Sequence, residues 1–157
     1  MVFTRQNLPI LDLQKYPQLP LGVRSGGYVL AHASGDALPD ITLIATGSEV
    51  QLALAAREQL ESQGVRARVV SLPSWNLFVA QPIEYREAVF PLEVPMLAIE
   101  AGVSLGWRPY IGPGIATIGV DRFGASAPGE IVMREYGFSV ENVLQQALAL
   151  IEQHKKT

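Results

Sequence analysis

Residues 41–74 carry the clearest pattern of apolar and polar positions in the chain. Ile41 to Ala45 is a short, β-branched-rich apolar run of the kind a buried parallel strand needs. Thr46-Gly47-Ser48 turns the chain. Leu52, Ala53, Ala56 and Leu60 then fall on one helical face. Ser48 with Gln51 three residues on spells a capping box, and Glu49 places negative charge in the first turn. Gly64 sits where a left-handed stop belongs. Ala67 to Leu72 is a second apolar run, ended by Pro73. The order strand, helix, strand predicts a right-handed crossover in a parallel sheet.

The flanking segments extend this reading. Val2 to Thr4 reads as the end of a strand. Residues 9–27, with three prolines and three glycines, show neither a period of 2 nor one of 3.6, and read as an extended connector. A connector so near the start leads us to expect further sequence upstream of residue 1. Tyr28 to His32 is a short strand. The turn 33–40 is too short for a crossover helix, so this strand should lie antiparallel to Ile41–Ala45 if the two are neighbours. Ser74 caps a short helix through Ala80, and Pro82 opens another through Val89. Met96 to Glu100 is a third parallel strand, and Ile115 to Asp121 a further one. Glu130 to Tyr136 is a short helix stopped by Gly137. Ser139 caps the last helix, whose stripe is Val140, Val143, Leu144, Ala147, Leu148 and Ile151.

These elements predict an α/β fold, a three-layer α/β/α arrangement. Its sheet should be mixed and mostly parallel, with about five strands, Tyr28 to His32 being the antiparallel one. A length of 157 residues suits one such domain. With 48% hydrophobic residues and a mean hydropathy of +0.20, the chain has material for a large core or for an interface. The net charge of −3 and the lack of a basic run argue against nucleic acid as a partner. No apolar run approaches the ~18 residues of a membrane span, and no signal-peptide core is present, so a cytoplasmic location is expected. With no cysteine, disulfides and thiolate chemistry are excluded.

Candidate chemistry is sparse. The Thr46-Gly47-Ser48 turn could hold a phosphate at a helix start, which would make the chain a nucleotide-binding enzyme. The GxGxxG fingerprint, the P-loop Lys and a ribose-binding carboxylate are all missing, so ordinary capping is the competing reading. His32 and His154 fall in no ligand-spaced cluster. Glu100 ends a parallel strand at the edge where α/β sites form. There it serves either as a site carboxylate, as an ion-pair partner of a neighbouring domain, or as an acceptor for loop amides. Asp121 also follows a strand, and its bland reading is a loop-ordering ion pair with Arg122. Trp107 and Tyr110 either pack on a partner subunit or pin their loop to the domain itself. Arg5 is unremarkable on composition alone.

Longer stretches carry more information. TRQNLP at 4–9, LIATGSEVQLA at 43–53, VVSLPSW at 69–75 and DRFGASAPG at 121–129 resemble the C-terminal part of transketolase. EYREAVFP, AIEAG, LGW and EYGFSVENV follow in register, while IGPG at 111–114 departs from the usual VG-x-x-G. The resemblance implies domain bounds of 1–27 for the end of a middle domain and its linker, and 28–157 for the C-terminal α/β domain. It also implies an enzyme that transfers a two-carbon ketol unit between sugar phosphates, using thiamine diphosphate and Mg2+ (or Ca2+). The partners implied are the N-terminal and middle domains of the same enzyme, in a homodimer. The motifs that hold the cofactor belong to those upstream domains, so no cofactor and no metal is expected on this chain, and the chain alone is expected to be inactive. One family residue carries over: the Arg of the S/T-R-Q-N motif contacts the substrate phosphate, and here it is Arg5. Guanidinium suits that task because its forked donors pair two oxygens. Otherwise the domain is expected to support domain packing and dimerisation. The alternative is a stand-alone regulatory or interaction module that kept the fold.

Overall fold

A computed structural model describes residues 6–107, 111–112 and 115–156. Its strands are β1 (Tyr28–Ala31), β2 (Ile41–Ala45), β3 (Ala67–Ser71), β4 (Met96–Ile99) and β5 (Ile115–Ile118). They form one mixed sheet in the order β1-β3-β2-β4-β5. β2 runs parallel to β3 from Ile41 opposite Ala67 to Ala45 opposite Ser71, and parallel to β4 from Thr42 opposite Met96. β4 and β5 are parallel as well, and β1 is antiparallel to β3.

The antiparallel member is the expected one, but its neighbour is β3, so the condition for pairing with β2 is not met. The connection 32–40 is no tight hairpin. It spans the width of the strand lying between, a separation of about 10 Å at the usual inter-strand spacing. This leaves both edges of β2 free for parallel partners delivered by crossovers.

The helices are α1 (Leu19–Gly22), α2 (Val50–Ser62), α3 (Trp75–Val79), α4 (Ile83–Val89), α5 (Gly129–Glu135) and α6 (Val140–His154). Strand side chains alternate between two apolar clusters. Ile41, Leu43, Ala45, Val69, Leu97 and Ile99 pack with Ala53, Ala56 and Leu60 of α2 and Val143, Ala147 and Ile151 of α6. Ile44, Val70, Met96 and Ala98 face the other way, toward Phe78, Val89, Phe90 and Trp107. Helices on both faces make the three layers expected from the pattern.

Local signals hold at several ends. Gly64 and Gly137 take φ of +79° and +88°, in the left-handed region that ends a helix. Ser74 and Ser139 accept hydrogen bonds from the backbone N–H groups of Leu77 and Asn142, as N-caps do. Three expectations differ. The Ser48–Gln51 capping box does not form: Gly47–Glu49 is a 3-10 turn, α2 begins at Val50, and no side chain caps it. β5 ends at Ile118 and not at Asp121, although Val120 N–H still donates to Gly102 O at 2.7 Å. The connector 9–27 contains α1 and a 3-10 turn, Val23–Ser25, because a proline in the first turn of α1 loses no helical hydrogen bond there. Val2 to Thr4 lies outside the described residues.

Candidate functional site

β2 sends its crossover to one side, toward β3, and the chain returns past β2 to form β4 on the other side. The carboxyl ends of β2 and β4 therefore flank the point where strand order reverses, the usual place for a site in an open α/β sheet. Two carboxylates stand there. Glu49, from the turn after β2, is 5% exposed, and Ser48 Oγ donates to its Oε1 at 2.6 Å. Glu100, directly after β4, is half-buried. Burial raises the Glu100 carboxyl pKa above its ordinary value, and the nearby Glu49 charge adds to the rise. The Trp107 side chain opposes it. Trp107 itself is fully buried against Trp75, ring centroids 4.9 Å apart, and its Nε1 makes no hydrogen bond of ordinary geometry.

Asp121 plays a different part. Both its oxygens are taken by Ser104: the backbone N–H at 2.8 Å and the hydroxyl at 2.6 Å. These bonds, the hydroxyl's first, hold the Asp121 carboxyl pKa below its ordinary value. Arg122 does not form the expected loop-ordering pair with Asp121. It lies 4.2 Å from the Tyr136 ring centroid and donates to Glu135 O at 3.0 Å. Trp107 pins its own loop, which settles that alternative for the indole, while Tyr110 lies outside the described residues.

A cleft of about 490 Å³ opens beside this edge, lined by Gln6, Ser48, Glu49, Glu130, Met133 and Phe138 among others. Arg5, the residue singled out for substrate phosphate, lies outside the described residues. His32 and His154 lie apart from this edge, His154 at the last residue of α6. Among the described residues no group of three or more acidic, His or Cys side chains could hold a metal ion.

The arrangement disfavours a phosphate at Thr46-Gly47-Ser48. An anion there would lie next to the buried carboxylate of Glu49. Among the described residues that line this cleft none is cationic, and no group of acidic, His or Cys side chains is placed to hold a bridging metal, so they offer the diphosphate of thiamine diphosphate no charge partner. Sequence reasoning took Glu49 for a first-turn charge favoured by the helix dipole and missed its electrostatic effect on Glu100. The usable signal was a carboxylate just after each of two parallel strands. The Ser104–Asp121 pairing had no such signal, since seventeen residues separate the two.

A family model described as the transketolase-like TK C-terminal domain matches residues 26–139. The chain is 51% identical over 153 residues to a transketolase of Halalkalibacterium halodurans, covering 97% of the chain and 22% of that protein. A transketolase of Geobacillus stearothermophilus is 47% identical, with 96% and 22% covered. Among solved structures, a Pichia stipitis transketolase in complex with sedoheptulose-7-phosphate superposes with a TM-score of 0.81 at 36% identity, over 98% of the chain and 21% of that structure. The chain thus spans about a fifth of the length of the relatives it matches. No described helix is long and apolar enough to cross a membrane. On the family match, the extent of identity and the shared fold, the chain belongs to the transketolase family and corresponds to its C-terminal domain.

Proposed function

We propose that the chain is the structural C-terminal domain of a transketolase that moves a two-carbon ketol unit between sugar phosphates, with thiamine diphosphate and its divalent cation held by upstream domains. Residues 1–27 are then the end of the middle domain and the linker, and residues 28–157 the domain proper. The carrying observation is the 51% identity that runs over 97% of the chain yet covers 22% of a transketolase. The acid edge supports the division of labour: Glu49, Glu100 and Asp121 line the sheet end where an anionic substrate would need cations. In this reading Arg5 binds the substrate phosphate from the linker side, and the domain contributes packing and support to a homodimer.

Ketol transfer by the native-length gene product, compared with the 157-residue chain, tests the proposal. The longer protein is expected to turn over and the shorter to be silent. Turnover by the short chain would refute it. In the longer protein, Arg5→Ala should raise KM for a phosphorylated acceptor about 10- to 100-fold, the loss expected for a charge-assisted phosphate contact. The same KM for phosphorylated and unphosphorylated acceptors would remove Arg5 from the site.

A further inference from the structure

Two loops at the carboxyl edge of the sheet, after β4 and after β5, present large apolar side chains to solvent. Phe123 is 99% exposed, Leu105 81% and Val103 63%. Val103, Val120 and Phe123 line one groove of about 490 Å³. A side chain so exposed usually belongs to a mobile tip, but these loops are braced. Asp121 accepts two hydrogen bonds from Ser104, which joins the loops to each other. Tyr136 Oη donates to Phe123 O at 2.6 Å, and Arg122 is held by Tyr136 and Glu135. Gly119 brings the loops into contact: a Cβ there would lie 3.0 Å from Gly102 O.

We infer that this braced apolar edge, centred on Phe123 with Val103 and Leu105, is the surface on which the preceding domains of the same polypeptide dock. The inference rests on the reading of the chain as a C-terminal domain. Three features fit that occupant. The relatives are several times longer than this chain, which spans 22% of them, so there is a large body for the edge to meet. The N-terminal side of the chain reaches this same side of the sheet: Gln6 shares its cleft with Glu130, on the helix that begins just after the Phe123 loop. The charged groups beside Phe123 also have local polar or ring partners already, Asp121 in the Ser104 N–H and hydroxyl and Arg122 in the Tyr136 ring and Glu135 O, so covering the edge leaves neither side chain without a contact. Because the backbone that carries Phe123 is already held through its carbonyl, docking of this aromatic anchor has less backbone entropy to lose.

Hydroxyl-radical footprinting of the native-length product, read by mass spectrometry, tests the inference. Leu92 is the internal control. It is 72% exposed and precedes β4, so it lies at the opposite edge. Corrected for intrinsic reactivity, labelling of Phe123, Val103 and Leu105 should fall several-fold below that of Leu92. Equal labelling at both edges overturns the docking inference and leaves the reading as a C-terminal domain intact. A native product with no upstream sequence overturns both. In the 157-residue chain all four residues should be labelled freely at every concentration. Protection of Phe123 that grows with concentration would make a second copy the occupant and refute the proposal.

Discussion

Asp121 and Ser104 form a two-point clasp: one carboxylate takes both the backbone N–H and the hydroxyl of one serine, at 2.8 and 2.6 Å. The clasp joins the loop after β5 to the loop after β4 and keeps Asp121 ionised more readily than an ordinary carboxyl. A lowered folded-state pKa means that its contribution to stability is present above the unfolded value and is lost as pH falls through the folded one. Ser104→Ala should bring the Asp121 pKa back toward the ordinary value of about 3.9, as followed by NMR titration of its carboxyl. The same variant should speed amide exchange at 102–106 and 120–123. An unchanged titration would show that the hydroxyl does not hold the carboxylate.

Glu100 has the opposite linkage. Burial and the Glu49 charge raise its pKa in the folded chain. Its contribution to stability is therefore complete below the unfolded pKa and is lost as pH rises through the folded one. Glu100→Gln should be more stable than the parent at neutral pH, and the gain should vanish well below the ordinary glutamate value of about 4.3. Denaturant titrations at the two pH values measure this. A variant less stable than the parent at neutral pH would refute the account. Glu49→Gln should lower the pKa of Glu100.

Trp107 holds the loop after β4 to α3 through Trp75, and Gly106 lies close against the Trp75 ring, where a Cβ would come within 2.6 Å. Trp107→Ala should cost about 3–5 kcal/mol, the usual range for emptying a buried aromatic site. Trp107→Phe should cost clearly less. Urea midpoints of the two variants supply the comparison, and equal losses would mean that the indole's volume is not what matters.

The two helix starts that read alike in sequence, at Ser48 and at Ser139, should separate by experiment. Ser139→Ala removes a formed N-cap from α6 and should cost about 1 kcal/mol. Gln51→Ala should change stability by no more than about 0.5 kcal/mol, because its capping box is not made. A loss at Gln51 as large as that at Ser139 would restore the box.

The hydrophobic pattern placed the elements because each run carries its own period and its own stops. Ile41–Ala45, the α2 face of Ala53, Ala56 and Leu60, and the left-handed Gly64 and Gly137 follow from local chemistry, which neighbours along the chain decide. The motifs from TRQNLP to DRFGASAPG carried the family, since long matches in order are specific without any geometry. Local pattern had no means of ranking neighbours across a sheet. Whether β1 lies beside β2 or β3 depends on whether the connection 32–40 closes a hairpin or spans the strand lying between, and only the assembled sheet shows that the neighbour is β3. The same holds for the edge chemistry. Glu49 reads as a first-turn charge, and becomes a buried neighbour that raises the Glu100 pKa only when β2 and β4 lie side by side. Composition and order thus determined the elements, the class of sheet and the kinship. Tertiary structure alone decided which strands touch, which carboxylates meet, and that Phe123 stands braced and bare at the edge, because those depend on contacts between residues far apart in the chain.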